Sequence, residues 1–577
     1  MLKALQPAVL RVNSLINKLF RAAVYGCRSF FQFEFCYVGE TMKKLISIFL
    51  CALLAGSAVL SGCGNNDIVE SRTASASTDK YRNFYQIFVQ SFCDSNDDGV
   101  GDLQGIIDQL DYLNDGDPNS GDDLGIDGLW LTPIMPSKSY HKYDVENYYD
   151  IDPDFGTLET FDTLVEECHK RGINLIIDLV LNHISSQNPL FTQAAFEVAD
   201  GNLDGNAKYF EIHEKDYFSE DTQVVALGNY ACEANFSLDM PEWNLNSEAT
   251  REEFTNIAKF WLDRGVDGFR LDACKYYNNK ETDGTEFLGW FVDTCRGINP
   301  DVYIVGETWS DDSDIANLFE SGIDSQFAFK FATTTGLINN FMSTQKGQAL
   351  VSKVANYEKK MREKNPDEIN AMFLSNHDQM RMANSLGSKG LNYEKFAASV
   401  YMLFPGNSFT YYGEEIGLTA PNTTGDANYR TPMVFDSENM QKIEVQGLGS
   451  TFDPPTDGGV KQQLEDDNSL LNFYRRIIKA KLQNQEIARG QITEIVDMDD
   501  TAVGAFFVEY NGEKLMIIHN FDSEQAKELE ITEEMIPNAE VVADLVTDEE
   551  QKTAELKDAK LTLPTLSSVI IRTAKTS

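Results

Sequence analysis

The chain of 577 residues is 42% apolar, ample for a large core and for roughly two or three domains. Its 48 Lys and Arg face 91 Asp and Glu, a formal charge of -43, which argues against nucleic-acid backbones and anionic lipid surfaces, since both need basic patches. A neutral substrate such as a sugar is compatible with that balance.

Met42, Lys43 and Lys44 precede an apolar run from Leu45 to Leu60, then Leu60-Ser61-Gly62-Cys63 and a polar stretch to Lys80. That is the layout of a bacterial secretory signal. About 16 apolar residues are marginal for a membrane span. The Leu-Ser-Gly-Cys ending resembles the lipobox of bacterial lipoproteins, which implies cleavage before Cys63, lipidation of its thiol and a place on the extracellular face of a bacterial membrane. Residues 1–41 are read as an extension upstream of the native start, 42–62 as the signal peptide and 63–80 as a linker. Downstream, Cys93, Cys168, Cys232, Cys274 and Cys295 are too scattered for a disulfide framework or a zinc set and are expected as buried apolar thiols.

Phe84–Gln90 reads as a first strand and Gly128–Ile134 as a second, both rich in aromatic and aliphatic residues. Between them Asp94, Asn96, Asp98, Val100 and Asp102 place oxygen donors at alternate positions of one loop, the early pattern of a calcium loop; Gly105 stands where an EF-hand needs Glu, so it is not an EF-hand. Phe161, Leu164, Val165 and Cys168 recur at helical spacing before Gly172, ahead of a third strand ending Asp178-Leu-Val-Leu-Asn182-His183. From 184 to about 246 the alternation of strand and helix is lost, which predicts a small inserted domain. A helix with Phe254, Ile257, Trp261 and Leu262 on one face then leads into Gly268-Phe-Arg270-Leu-Asp272, and later strands end in Gly306-Glu307-Thr-Trp309 and Asn376-His377-Asp378. After a last helix through Leu470, Tyr474, Ile477 and Leu482, short alternating runs at 503–510, 515–519 and 568–572 suggest an antiparallel sandwich. The predicted boundaries are 81–486 for the first globular unit and 487–577 for the second.

Arg270 and Asp272, two apart on a strand, point to the same side. In a closed parallel barrel the C-terminal ends of the strands converge on one face, so Asp272, Glu307 and Asp378 would meet there. Four strand ends in this order resemble the four signature regions of the α-amylase superfamily, glycoside hydrolase family 13, over about Tyr81 to the C-terminus. The resemblance implies an α/β fold: a (β/α)8 TIM barrel with inserted domain B after strand 3 and a C-terminal antiparallel β-sandwich. It implies Asp272 as nucleophile kept ionised by Arg270, Glu307 as acid and then base, and Asp378 as a third carboxylate holding sugar hydroxyls. His141, His183 and His377 would hydrogen-bond the sugar at the cleavage point, and Tyr143 would stack on its apolar face.

The same resemblance implies calcium at the loop of Asp94 to Asp102, with Asn182 and Asp239 as candidates for a second calcium site. It departs from the family pattern at Lys275, which many members follow with His and this chain follows with Tyr276. A bridge between Asp144 and Arg430 would wall off the far end of the bound sugar, and it is expected to be absent. The segment Met240 to Asn246 resembles, with an interruption, a signature of members intermediate between α-amylases and the oligo-1,6-glucosidase and neopullulanase groups. The expected activity is a monomeric, retaining, endo-acting α-amylase on α-1,4 bonds of starch or maltooligosaccharides. The alternative is an exo-acting α-glucosidase or oligo-1,6-glucosidase, or a transglucosylase. A binding-only protein of this fold would have discarded the carboxylates.

Overall fold

The computed structural model describes residues 82–574 apart from 119, 122, 423, 449–451 and 549–552. The upstream extension, signal, Cys63 and linker lie outside the described residues. No described helix is long and apolar enough to cross a membrane.

Strands β1 (Asn83–Ile87), β2 (Gly128–Leu131), β3 (Asn174–Leu179), β4 (Ile212–Glu214), β5 (Val224–Leu227), β6 (Tyr230–Glu233), β7 (Gly268–Leu271), β8 (Tyr303–Gly306), β9 (Ser325–Gln326), β10 (Ala371–Phe373) and β11 (Asn407–Tyr411) precede the C-terminal sheets. Eight of them, in the order β10-β11-β1-β2-β3-β7-β8-β9, form one sheet, parallel throughout. The ring closes where Phe327 bridges Ala371 and the Ala328 N–H donates to the Ala371 carbonyl at 3.0 Å. The result is a (β/α)8 barrel.

Strand alternation gives the barrel its two cores. Tyr85, Leu129, Ile177, Phe269 and Ile304 point outward into the main core shared with the helices, while Phe84, Trp130, Ile176, Tyr303, Phe327, Phe373 and Phe409 fill the interior as a separate cluster. Both faces are thus buried, which is why the strands read as nearly unbroken apolar runs. Phe84 and Phe409 stack at 4.6 Å and Trp130 packs on Phe327 at 5.3 Å. The backbone of β8 leaves no room at Gly268, where a Cβ would stand 1.9 Å from the Tyr303 carbonyl oxygen. Two residues further along the strands, the inward positions turn polar as Gln86, Asp178 and Arg270, with Asp178 opposite Arg270 in register. A polar layer therefore floors the C-terminal mouth of the barrel.

The helix Leu158–Lys170 starts at Thr157, whose side chain accepts the Thr160 N–H, and buries Phe161, Leu164, Val165 and Cys168. The helix Glu248–Asp263 buries Phe254, Ile257, Trp261 and Leu262. Between β3 and that helix lie the helix Pro189–Ala199 and a three-stranded antiparallel sheet, β4-β6-β5.

At the C-terminus β12 (Gln491–Val496), β13 (Val503–Tyr510), β14 (Glu513–Asn520), β15 (Lys527–Glu530), β16 (Ala539–Val546), β17 (Glu555–Lys557), β18 (Lys560–Leu563) and β19 (Ser567–Thr573) form a five-stranded sheet and a three-stranded sheet. They enclose Val503, Phe507, Met516, Ile518, Leu561, Leu563 and Ile571. The opposite face of the larger sheet, with Phe506, Val508, Ile517 and Ile570, packs into the main core. Some bounds differ from expectation: the second strand ends at Leu131 and not at Ile134. The first strand stops at Ile87 and curls into a 3-10 turn over Val89–Ser91, whose Gln90 carbonyl accepts the Gly101 N–H at 2.8 Å. A short helix, Gln485–Arg489, runs across the boundary expected between 486 and 487, so the changeover falls at Gly490.

Candidate active site

Arg270 organises the mouth of the barrel. Its guanidinium Nη1 lies 2.7 Å from Asp178 Oδ1 and 2.7 Å from Asp272 Oδ1, and Nη2 lies 3.1 Å from Glu307 Oε2. It packs over the rings of Trp130 and Tyr143 at 5.3 and 5.7 Å. Burying one cation among three carboxyls adds little to stability, but it holds them on one side of the pocket. Asp272 follows β7 and Glu307 follows β8, so adjacent strands deliver them. Between them Ala273 adopts a left-handed conformation, φ 52°, that costs a non-glycine residue of order 1 kcal/mol. That turn aims the Ala273 N–H at Glu307 Oε2, 2.9 Å away, and the Cys274 N–H at the Glu307 carbonyl, 2.8 Å away.

The carboxyls differ electrostatically. Burial raises the Glu307 carboxyl above its ordinary range, Arg270 pulls it back, and the charges of Asp272 and Asp378 raise it again. Burial also raises Asp272, opposed by its bond to Arg270, and Asp178, opposed by the same guanidinium. All three carboxyls around the guanidinium are thus shifted toward their protonated forms and titrate as a coupled set. Asp378 goes the other way: burial works to raise it, but His377, Arg430 and Arg270 outweigh burial and hold it far below the ordinary range. Its oxygens lie 2.9 Å from Arg430 Nη2 and 3.0 Å from His377 Nε2.

The imidazoles are shifted toward their neutral forms. Burial lowers His377, and burial takes His183 and His141 to about 4, with Arg430 contributing at His141. The Gln86 amide, 2.7 Å from His377 Nδ1, makes that nitrogen the acceptor and leaves the proton on Nε2. Tyr143 stacks on His377 at 5.5 Å and donates its hydroxyl to Asp178 at 3.0 Å. His141 Nδ1 accepts the Tyr143 N–H at 3.1 Å, so its Nε2 is free to donate outward. His183 Nε2 is buried without a hydrogen-bond partner.

Asp144 and Arg430 do not pair. Asp144 accepts from Ser137 and Ser139, whereas Arg430 is spent on Asp378, the Tyr140 hydroxyl and the His377 carbonyl. The two residues instead line one open cavity of about 620 Å³ together with His141, Ser185, Asp239 and Asp426. Lys275 is exposed and lies over the Tyr276 ring at 5.6 Å, outside the carboxyl cluster. Gln86, Asp178 and Trp130 belong to the site, and sequence reasoning did not single them out. Trp309, 53% exposed and stacked on Phe329 at 5.1 Å, and Phe236, 46% exposed beside His183 at 5.0 Å, present aromatic surface.

In the loop after β1, Asp94 accepts backbone N–H groups from Asn96, Asp97 and Gly99. Asn96 accepts from Asp98, Asp98 from Val100, and Asp102 from Ser95 and Gly105. Each such bond leaves a lone pair, and an all-oxygen set of four side chains and the Val100 carbonyl suits calcium in donor type. Asn182 donates its amide to Glu242 Oε1 at 3.2 Å, and Asp239 accepts from the Ser186 hydroxyl at 3.3 Å.

Two carboxyls at the ends of neighbouring strands, both raised by burial and both held against one guanidinium, are the apparatus of glycosidic-bond hydrolysis on a TIM barrel. The family model for the alpha amylase catalytic domain matches residues 86–490, and that for the alpha-amylase SusG C-terminal domain matches 503–570. Alpha-amylase 3 of Dictyoglomus thermophilum is 35% identical over 448 residues, 77% of this chain and 85% of that protein. The oligo-1,6-glucosidase of Bacillus cereus is 26% identical over 523 residues, 76% of this chain and 90% of that protein. The solved structure of Eubacterium rectale Amy13B matches with a TM-score of 0.80 and 34% identity, over 87% of this chain and 97% of that one. The chain belongs to the α-amylase family, glycoside hydrolase family 13, and is a glycoside hydrolase.

Proposed function

We propose that the chain is a retaining, endo-acting α-amylase that hydrolyses α-1,4 bonds in starch or maltooligosaccharides. The observation that carries the mechanism is the single Arg270 guanidinium contacted by both Asp272, at 2.7 Å, and Glu307, at 3.1 Å. Two carboxyls on adjacent strand ends against one guanidinium suit the short separation of about 5–5.5 Å that retention uses, where inverting enzymes need about 6.5–9.5 Å to admit a water. In the first step Asp272 attacks the anomeric carbon, the glycosidic C–O bond breaks, and the leaving oxygen takes the Glu307 proton. In the second, Glu307 takes a proton from water, the hydroxide oxygen bonds to the anomeric carbon, and the Asp272 ester is released. Asp378, ionised and fixed by Arg430 and His377, accepts from sugar hydroxyls. His141 and His183, neutral, donate to others, and Tyr143 lies under the ring.

Endo action is supported by the open cavity between Asp144 and Arg430, which a bridge would have closed. The similarity to an oligo-1,6-glucosidase keeps exo action as the rival. Maltoheptaose with a blocked non-reducing end separates them: an endo enzyme cuts it nearly as fast as the free sugar. Glucose released singly, with the blocked substrate untouched, would overturn the endo reading. We further propose calcium at Asp94, Asn96, Asp98, Val100 and Asp102, tying the loop after β1 into the fold, and a lipid anchor at Cys63 on the extracellular face of a bacterial membrane.

A further inference from the structure

Away from the carboxyl cluster, Glu211, His213 and Glu281 bring three ligand atoms within 4.8 Å of one another. We propose that these residues bind a first-row divalent metal ion, zinc by preference, which clamps the inserted domain to the loop after β7.

Glu211 and His213 flank Ile212 and so share a face of the strand start at β4. Glu281 comes from the segment that follows Asp272. Glu211 is 2% exposed and its backbone is fixed, its N–H donating to the Glu242 carbonyl at 3.0 Å and its carbonyl accepting from Glu233 at 3.2 Å. One of its oxygens, Oε1, lies 2.7 Å from His213 Nε2. The other, Oε2, is buried with no hydrogen-bond partner, and a buried carboxylate oxygen left unpaired is costly unless something cationic completes it.

The shell around the cluster holds the ligands in place. The His213 ring stacks on Tyr217 at 3.8 Å, and the Tyr217 hydroxyl donates to Glu281 Oε1 at 3.2 Å. Asn246 donates to the Glu281 carbonyl at 2.5 Å. The Lys280 ammonium donates to the Tyr217 carbonyl and lies over the Tyr217 ring. Such outer partners are what orient ligands in metal sites.

Ligand chemistry selects the ion. Two carboxylates and one imidazole make a mixed O/N set of three, with a fourth position for water, which suits zinc; calcium takes oxygen ligands in sixes to eights and gains nothing from an imidazole. The ion would join β4 of the inserted domain to the segment leading from Asp272, two pieces of chain 68 to 70 residues apart by number, 281 minus 213 and 281 minus 211.

The test is calorimetric titration of the chelator-stripped full chain with zinc chloride while calcium is held saturating, so that the loop after β1 plays no part. One zinc per chain is expected, with a rise in melting temperature. Glu281→Gln, at the exposed ligand, and His213→Gln should each weaken zinc more than about tenfold and remove the rise, with the metal-free melting temperature kept. Cobalt in place of zinc should show tetrahedral d–d bands without sulfur charge transfer. Zinc binding that is absent in the wild type, unchanged in both variants, or sulfur-ligated through a cysteine overturns the proposal.

Discussion

Replacing Arg270 by Met removes the guanidinium that lies within 3.1 Å of Asp178, Asp272 and Glu307 while keeping a flexible apolar side chain between Trp130 and Tyr143. A neighbouring guanidinium lowers a carboxyl by about 1–3 pKa units, each worth about 1.4 kcal/mol. Asp272, already raised by burial, should therefore ionise about 1–3 units higher in the variant, and the acid limb of kcat/KM should move up with it. Breaking a buried pair from one side costs about 3–5 kcal/mol of stability. The sign with pH follows from linkage. Carboxyls whose folded-state pKa lies above the unfolded value lend stability that is full at low pH and is lost as pH rises through the folded value. The deficit of Arg270→Met against the wild type should thus grow from acid to neutral pH. The assays are a pH profile on a chromogenic maltooligosaccharide and urea melts at several pH values. An acid limb that stays in place, or a deficit independent of pH, refutes the electrostatic role given to Arg270.

Asp272→Asn and Glu307→Gln should each cost on the order of 10³-fold or more in kcat with far-ultraviolet circular dichroism unchanged, because each keeps volume and removes only an electron pair or a proton; either variant above a tenth of wild-type rate contradicts its role. Chelation should lower the melting temperature and calcium should restore it, and Asp98→Ala should remove that response; an unchanged response leaves the loop an acidic turn. Wild type expressed in a bacterial host should partition with membranes, two or three acyl chains at ~0.8 kcal/mol per buried methylene being enough to anchor it. Cys63→Ser should release it, and a soluble wild type with its N-terminus elsewhere counts against the anchor.

The barrel was legible because several strands carry their own signal, a short apolar run followed within a few residues by charge, as at Gly268–Leu271 and Tyr303–Gly306, whereas the two-residue strand Ser325–Gln326 carries none. Asp178 was within reach of the same logic, since it sits two residues after the inward Ile176 and pairs in register with Arg270; the signal was strand alternation, and so it was for Gln86 above Phe84. Other features were not local. The left-handed Ala273 depends on the turn that Glu307 receives, and no residue type at that position announces it. The separation of Asp144 from Arg430 is decided by Ser137, Ser139 and Tyr140, which compete for the two charges. The cluster of Glu211, His213 and Glu281 arises only when the inserted domain folds against the loop after β7.

In the proposed mechanism one carboxyl attacks the anomeric carbon while its neighbour supplies the proton, and the stereochemistry of the first product reads this directly. Early-time proton NMR of maltoheptaose hydrolysis, recorded before mutarotation, should show the α-anomer of the newly formed reducing end, because two inversions at the anomeric carbon, by Asp272 and then by water, restore the starting configuration. A β-anomer appearing first would mean that water attacks directly, and that Asp272 does not form the covalent bond assigned to it.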